Sequence, residues 1–184
     1  MTSPIIIYFD TEFTNLVPRA LRGTYLISAG FVTDRDEAET LYFEINGAWT
    51  VEDCSPFVIE TVLPLLEGGK ARMLEQAASA NLIAWIKGLE VDVELMATSP
   101  LDREYFFDLV PPDLWPENLK AVRIVSFDNL SWFWRLRAKS AEERFFQMGG
   151  RRHHALDDAK ALRAGWLNSV PAGRIPRADS GGTN

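Results

Sequence analysis

Ile5-Ile6-Ile7-Tyr8-Phe9-Asp10-Thr11-Glu12-Phe13 is the stretch on which the reading of this chain turns. Five β-branched or aromatic residues in a row read as a strand buried on both faces. The run ends abruptly on Asp10, with Glu12 two positions further. In extended chain, residues i and i+2 point to the same side, so the two carboxylates converge. Close carboxylates repel and raise each other's pKa unless a cation neutralises them. Mg²⁺ suits such a pair because it takes hard oxygen ligands and shares its remaining positions with water and phosphate. The same string also reads as a strand end running into a polar turn, and this stretch alone does not separate the two.

Outward from this strand, residues 25–33 and 40–45 have strand character, and Asp34-Arg35-Asp36-Glu37 supplies a polar turn between them. With the first strand they make a candidate meander. Residues 56–66 and 74–89 have helical spacing, with Ser55 and Pro56 suited to start the first. Residues 91–97 alternate as a strand and 101–109 follow as a short helix. Pro111, Pro112 and Pro116 mark a loop. A last strand is expected at 122–127, then a helix at about 130–146, a break at Gly149-Gly150 and a final helix at 155–167. Strands first as a meander, then mixed with helices, predict an α/β layer fold with a mixed central sheet. One domain over residues 4–169 is expected, and the Pro, Gly, Ser, Asn and Arg composition of 170–184 reads as a disordered tail.

A chain of 184 residues is long enough for one core without covalent staples. Cys54 is the single cysteine, which excludes an intrachain disulfide and a thiolate metal cluster. The first apolar run is too short for a signal-peptide core or a membrane span, so a cytoplasmic, soluble protein is expected. The net charge of −7 hides an asymmetry. Residues 1–118 carry 7 Lys/Arg against 20 Asp/Glu, whereas residues 119–184 carry 12 against 6. A basic C-terminal third, with Arg123, Arg135, Arg137, Lys139, Arg151 and Arg152, offers phosphate contacts while the acidic part offers cation ligands. Solvated helix faces produce the same asymmetry.

Two more stretches place carboxylates with potential chemistry. In Ser99-Pro100-Leu101-Asp102, a strand runs into a turn and Asp102 falls in the first turn of the next helix, where the helix dipole favours a carboxylate without any function. In Gly149-Gly150-Arg151-Arg152-His153-His154-Ala155-Leu156-Asp157-Asp158, both histidines of the chain stand at the mouth of a helix. His153 lies five residues before Asp158, so a loop-borne imidazole can reach a metal anchored by that helix. An N-capped helix with charged surface residues is the plain alternative. Phe13, Leu16 and Tyr105 are candidates to stack or wedge against unpaired bases, with core packing as the alternative. The six tryptophans, Trp132 and Trp134 among them, are assigned to the core or to a subunit contact.

Taken together, D-x-E after an N-terminal strand, a mid-chain Asp opening a helix and H-x-x-x-x-D near the end resemble the DEDDh family of 3′–5′ exonucleases. That family includes oligoribonuclease, ribonuclease T, bacterial proofreading subunits and small exoribonucleases described from mycobacteria. The string Asp10-Thr11-Glu12-Phe13-Thr14-Asn15-Leu16 is similar to the D-T-E-M-T-G-L start of oligoribonucleases. The resemblance implies a ribonuclease-H-like fold with a mixed five-stranded sheet flanked by helices. It implies that Asp10, Glu12, Asp102 and Asp158 bind two Mg²⁺ ions, with Mn²⁺ able to substitute, and that His153 is the general base. It implies further that Phe13 and Leu16 wedge against the terminal base. Ahead of Asp102, where many relatives carry His-Asn, this chain has Ala97-Thr98, which leaves the hold on the penultimate nucleotide unassigned. The five-residue spacing selects His153 with Asp158 over His154 with Asp157. The expected activity is hydrolysis of single-stranded RNA ends to nucleoside 5′-monophosphates, with a homodimer as a possible assembly. DNA as the substrate, and a catalytically silent nucleic-acid-binding module, are the alternatives.

Overall fold

The computed structural model describes residues 4–15 and 23–169. Leu16 and the segment 170–184 lie outside the described residues. The chain forms an α/β fold with a six-stranded mixed sheet flanked by helices. Its strands are β1 (Ile5–Phe13), β2 (Leu26–Thr33), β3 (Thr40–Ile45), β4 (Arg72–Met73), β5 (Val93–Ala97) and β6 (Leu119–Ile124). The helices are α1 (Glu75–Gly88), α2 (Pro100–Leu109), α3 (Trp132–Gln147) and α4 (Ala155–Ser169). Strand order is β4-β3-β2-β1-β5-β6. β1, β2 and β3 make the antiparallel meander expected from sequence, turning through residues 34–39. β5 and β6 join parallel to β1, and β4 joins parallel to β3.

The continuous apolar run of β1 is explained by its central place, because both faces are covered. Ile7 and Phe9 pack with Phe31, Phe43, Leu82, Leu95 and Phe106 on one side. Ile6 and Tyr8 pack with Val32, Met96, Ala159, Leu162 and Trp166 on the other. Since β1, β5 and β6 are parallel, their C-terminal ends open on one edge of the sheet, the usual place for a ligand crevice in such folds. Asp10 and Glu12 leave β1 there, and the β5–α2 turn arrives there.

Helix α4 crosses β1 and β2 at very short range, and one glycine permits it. A Cβ on Gly30 would stand 2.2 Å from the Leu156 backbone nitrogen and 2.5 Å from the Ala155 carbonyl carbon. Gly30 is the β2 partner of Asp10. The bare backbone at Gly30 therefore seats the first turn of α4, with its Asp158, beside Asp10.

Several expectations need correcting. The sheet has six strands, not five, because the two-residue β4 extends its edge, and a pair of residues carries no readable periodicity. The last strand runs over 119–124 rather than 122–127, its pattern broken by Arg123, which pairs bidentately with Glu94 on β5 at 2.7 and 2.9 Å. Residues 56–66 do not form a regular α-helix. A π turn over Val58–Val62 passes into a 3-10 turn over Leu63–Leu65, where Pro64 lacks the N–H that α-helical bonding needs. Of the two assignments given to Trp132, its 71% exposure removes the core and leaves the subunit contact. No described helix is long and apolar enough to cross a membrane.

Candidate metal and catalytic site

Asp10, Glu12, Asp102, His153 and Asp158 all line one cavity of about 430 Å³ at the C-terminal edge of β1. Each arrives by a different local device. Asp10 and Glu12 come from the end of β1, just before a register shift between Glu12 and Phe13 in its pairing with β2. Asp102 is 2% exposed and closes a capping box at the start of α2, its Oδ2 accepting from the Ser99 N–H at 3.2 Å. Its Oδ1 accepts from the Thr11 hydroxyl at 2.7 Å and from the Thr11 N–H at 3.3 Å. The cap and the Thr11 bond together fix the Asp102 carboxylate at the cavity lining, beside the D-x-E strand. Thr11 escaped the sequence reading because it lies between the two acids.

Asp158 sits in the first turn of α4. One of its carboxylate oxygens accepts from the His153 N–H at 2.8 Å. His153 adopts a left-handed φ of +64°, uncommon for a residue with a Cβ, and that bond helps to hold it there. Ligand atoms of Glu12, His153 and Asp158 all lie within 4.8 Å of one another. The other His–Asp pair has different surroundings. His154 is buried, stacked on Tyr42 at 4.6 Å, and Asp157 accepts from Arg151 instead of facing the cavity. Burial and the Arg151 guanidinium lower the His154 pKa.

The carboxylates pay for their crowding in proton affinity. Burial, then Asp102, Asp158 and Glu12, hold the Asp10 pKa well above the usual carboxylate range. Burial, with Asp158 and Asp102, pushes Glu12 up to about 8. Burial lifts Asp158 to about 7 against the opposing His153 N–H bond, and Asp102 to about 6 against its bonds from Thr11 and Ser99. No Lys or Arg is among the described residues lining the cavity. Four carboxylates driven toward their neutral forms, with no cationic side chain among them, are a donor set that fits hard divalent cations.

The rest of the lining mixes polar Thr11, Asn15, Ser55 and Ser99 with apolar Phe13, Phe57 and Val58. Phe13 lines the cavity, while Tyr105 is buried behind it, stacked on the Phe13 ring at 5.1 Å. Phe57 and Val58, from the irregular helical segment, also line the cavity. Phe57 is 50% exposed and meets the His153 ring edge-on at 5.0 Å. Sequence reasoning missed Phe57, since an aromatic residue in a helical pattern reads as core. Most of the basic residues considered for phosphate contacts have partners within the chain. Arg123 binds Glu94, Arg135 binds Asp128, and Arg152 binds Glu143 while lying over the Phe146 ring.

No protein-family model and no curated protein matches this sequence. The ligand atoms of Glu12, His153 and Asp158 lie close enough together to hold a metal ion.

Proposed function

We propose that the chain is a divalent-cation-dependent 3′–5′ exonuclease, acting on single-stranded RNA ends in the cytoplasm and releasing nucleoside 5′-monophosphates. One observation carries the reading: four carboxylates and a histidine, drawn from three distant segments, line a single cavity in the order of the DEDDh pattern. The sheet, with antiparallel β3-β2-β1 continued by parallel β5 and β6, is compatible with the ribonuclease-H-like fold that this pattern implies.

On this reading Asp10, Glu12, Asp102 and Asp158 hold two Mg²⁺ ions, or Mn²⁺ in their place. Bound cations would neutralise the phosphodiester charge and stabilise the attacking and leaving oxygens. His153 accepts the proton of the attacking water through an imidazole nitrogen. The new bond forms between water oxygen and phosphorus, and the bond from phosphorus to the 3′-oxygen of the penultimate nucleotide breaks. That oxygen takes a proton from solvent. Asp158 keeps His153 in place through its N–H. Phe13, backed by Tyr105, and Phe57 supply aromatic faces for an unstacked terminal base, which selects single strands over duplex.

The deciding experiment is a time course with 5′-labelled single-stranded RNA and the matching DNA, in Mg²⁺, Mn²⁺ or EDTA. A ladder shortening from the 3′ end by single nucleotides, absent with EDTA and abolished by Asp10→Ala, is expected with RNA. Faster hydrolysis of DNA transfers the assignment to a deoxyribonucleotide substrate. Binding without cleavage under either metal refutes the enzyme in favour of a nucleic-acid-binding module.

A further inference from the structure

We infer that Arg151 and Asp157 are positioning residues, a clamp that sets the direction of the His153 side chain without touching substrate or cation. The role given to His153 rests on the exonuclease reading above, whereas the clamp itself rests on geometry alone.

His153 stands in a left-handed conformation on a loop that enters α4 after a second left-handed turn at Gly149, φ +108°. No hydrogen bond among the described residues fixes its ring, so the backbone decides where the imidazole points. That backbone is gripped from both sides. Two consecutive carboxylates of α4 each take one N–H of the incoming loop. Asp157 Oδ2 accepts from the Arg151 N–H at 3.0 Å, and Asp158 Oδ2 accepts from the His153 N–H at 2.8 Å. On the far side, His154 is anchored by burial and by its stack on Tyr42.

The Arg151 side chain completes the clamp. Its Nε donates to the same Asp157 oxygen at 2.7 Å, so one carboxylate holds both the main chain and the side chain of Arg151. Its terminal nitrogen reaches Glu67 Oε1 at 3.2 Å and lies 3.2 Å from His154 Nδ1. Glu67 lies just beyond the segment that carries Phe57 and Val58, and its backbone N–H is held by the buried Glu44. Arg151 thus ties the His153 loop to the chain just beyond the segment that carries Phe57 and Val58. The pair is partly buried and shares its bonds between main chain and guanidinium fork, which a Lys cannot reproduce.

The test uses full-length Asp157→Ala, Asp157→Asn and Arg151→Lys, each also placed in a His153→Ala background. Loosened backbone predicts that the His153 amide exchanges with solvent about tenfold faster in Asp157→Ala, with Asp157→Asn between it and wild type. Mn²⁺ affinity should fall far less than turnover, because the four carboxylates remain in place and Asp157 bonds to Arg151 and to none of them. The turnover number should fall about 10- to 100-fold at nearly constant KM, since a catalytic group displaced by about 1 Å loses that much. In the His153→Ala background the same substitutions should leave the residual rate unchanged, because nothing remains for the clamp to position. Unchanged exchange at His153, or an equal fall in rate without the imidazole, overturns the proposal. If Asp157→Ala fails to fold, Asp157→Asn and Arg151→Lys carry the same comparison. If wild type hydrolyses nothing, the exonuclease reading fails, yet the exchange measurement still decides whether the clamp orders His153.

Discussion

Gly30→Ala adds one methyl group at the point where α4 lies closest to the sheet. The new Cβ would stand 2.2 Å from Leu156 N and 2.3 Å from its Cα, both main-chain atoms that no rotamer change can remove. Reaching ordinary contact near 3.4 Å requires α4 to withdraw by at least about 1.2 Å, and overpacking of this kind costs roughly 1–3 kcal/mol. For a chain of this length that corresponds to a fall in Tm of roughly 2–12 °C. Asp158 and the His153 bonded to it move with the helix, so activity should fall by about 100-fold, out of proportion to the loss of stability. Thermal unfolding, Mn²⁺ titration and single-turnover hydrolysis of one preparation read the three effects. Gly88→Ala is the control. A Cβ there meets nothing within 4 Å in a helical position, so it should be neutral or stabilise by up to about 1 kcal/mol. A Gly30→Ala protein with wild-type Tm and Mn²⁺ affinity would refute the claim that bare backbone at this position seats the site.

Three further outcomes follow from the same geometry. Glu12, Asp158 and Asp102 titrate near 8, 7 and 6 in the fold, all above ordinary carboxylates. Their contribution to cation-free stability is therefore full below about pH 4 and is lost as pH rises toward about 8, while the Tm gain from Mn²⁺ grows over the same interval; scanning fluorimetry with and without the ion checks both, and a pH-independent gain contradicts it. Thr11→Val removes the 2.7 Å hydroxyl bond to the buried Asp102, which should cost about 1–3 kcal/mol in denaturant unfolding and raise the Asp102 pKa further; an unchanged midpoint would detach Thr11 from this role. Phe57→Ala removes a half-exposed ring, so Tm should change little while KM for single-stranded RNA rises about tenfold, and steady-state kinetics showing no change in KM would exclude Phe57 from base contact.

The meander and the D-x-E edge were legible in sequence because one physical contrast marks them: a strand covered on both faces cannot continue through Asp10 and Glu12 without a reason. The choice of His153 with Asp158 over His154 with Asp157 followed from spacing; in the fold His153 and Asp158 line the cavity, while His154 stacks on Tyr42 and Asp157 accepts from Arg151. Other features left no readable trace. β4 is too short to show a period, and β6 starts at Leu119, ahead of the expected 122–127, with Arg123 interrupting its apolar pattern. Phe57 and Thr11 reach the cavity through tertiary placement. The same is true of the close approach at Gly30, since a glycine in a strand announces that something comes near but not what. Asp102 was ambiguous between helix cap and site residue because one side chain both closes the capping box and lines the cavity.

The Thr11–Asp102 bond joins positions 91 apart, and the Arg163 bond to the Thr33 carbonyl that ties α4 to the sheet joins positions 130 apart. Contacts of such span pay a large loop-closure entropy before they are rewarded, which places them late in folding. A cation that recognises the assembled carboxylates thus has little to bind in a half-formed chain. It should slow unfolding while leaving the rate of folding almost untouched. Protection by the ion would then be kinetic in character, visible as a longer native lifetime and not as faster recovery from denaturant.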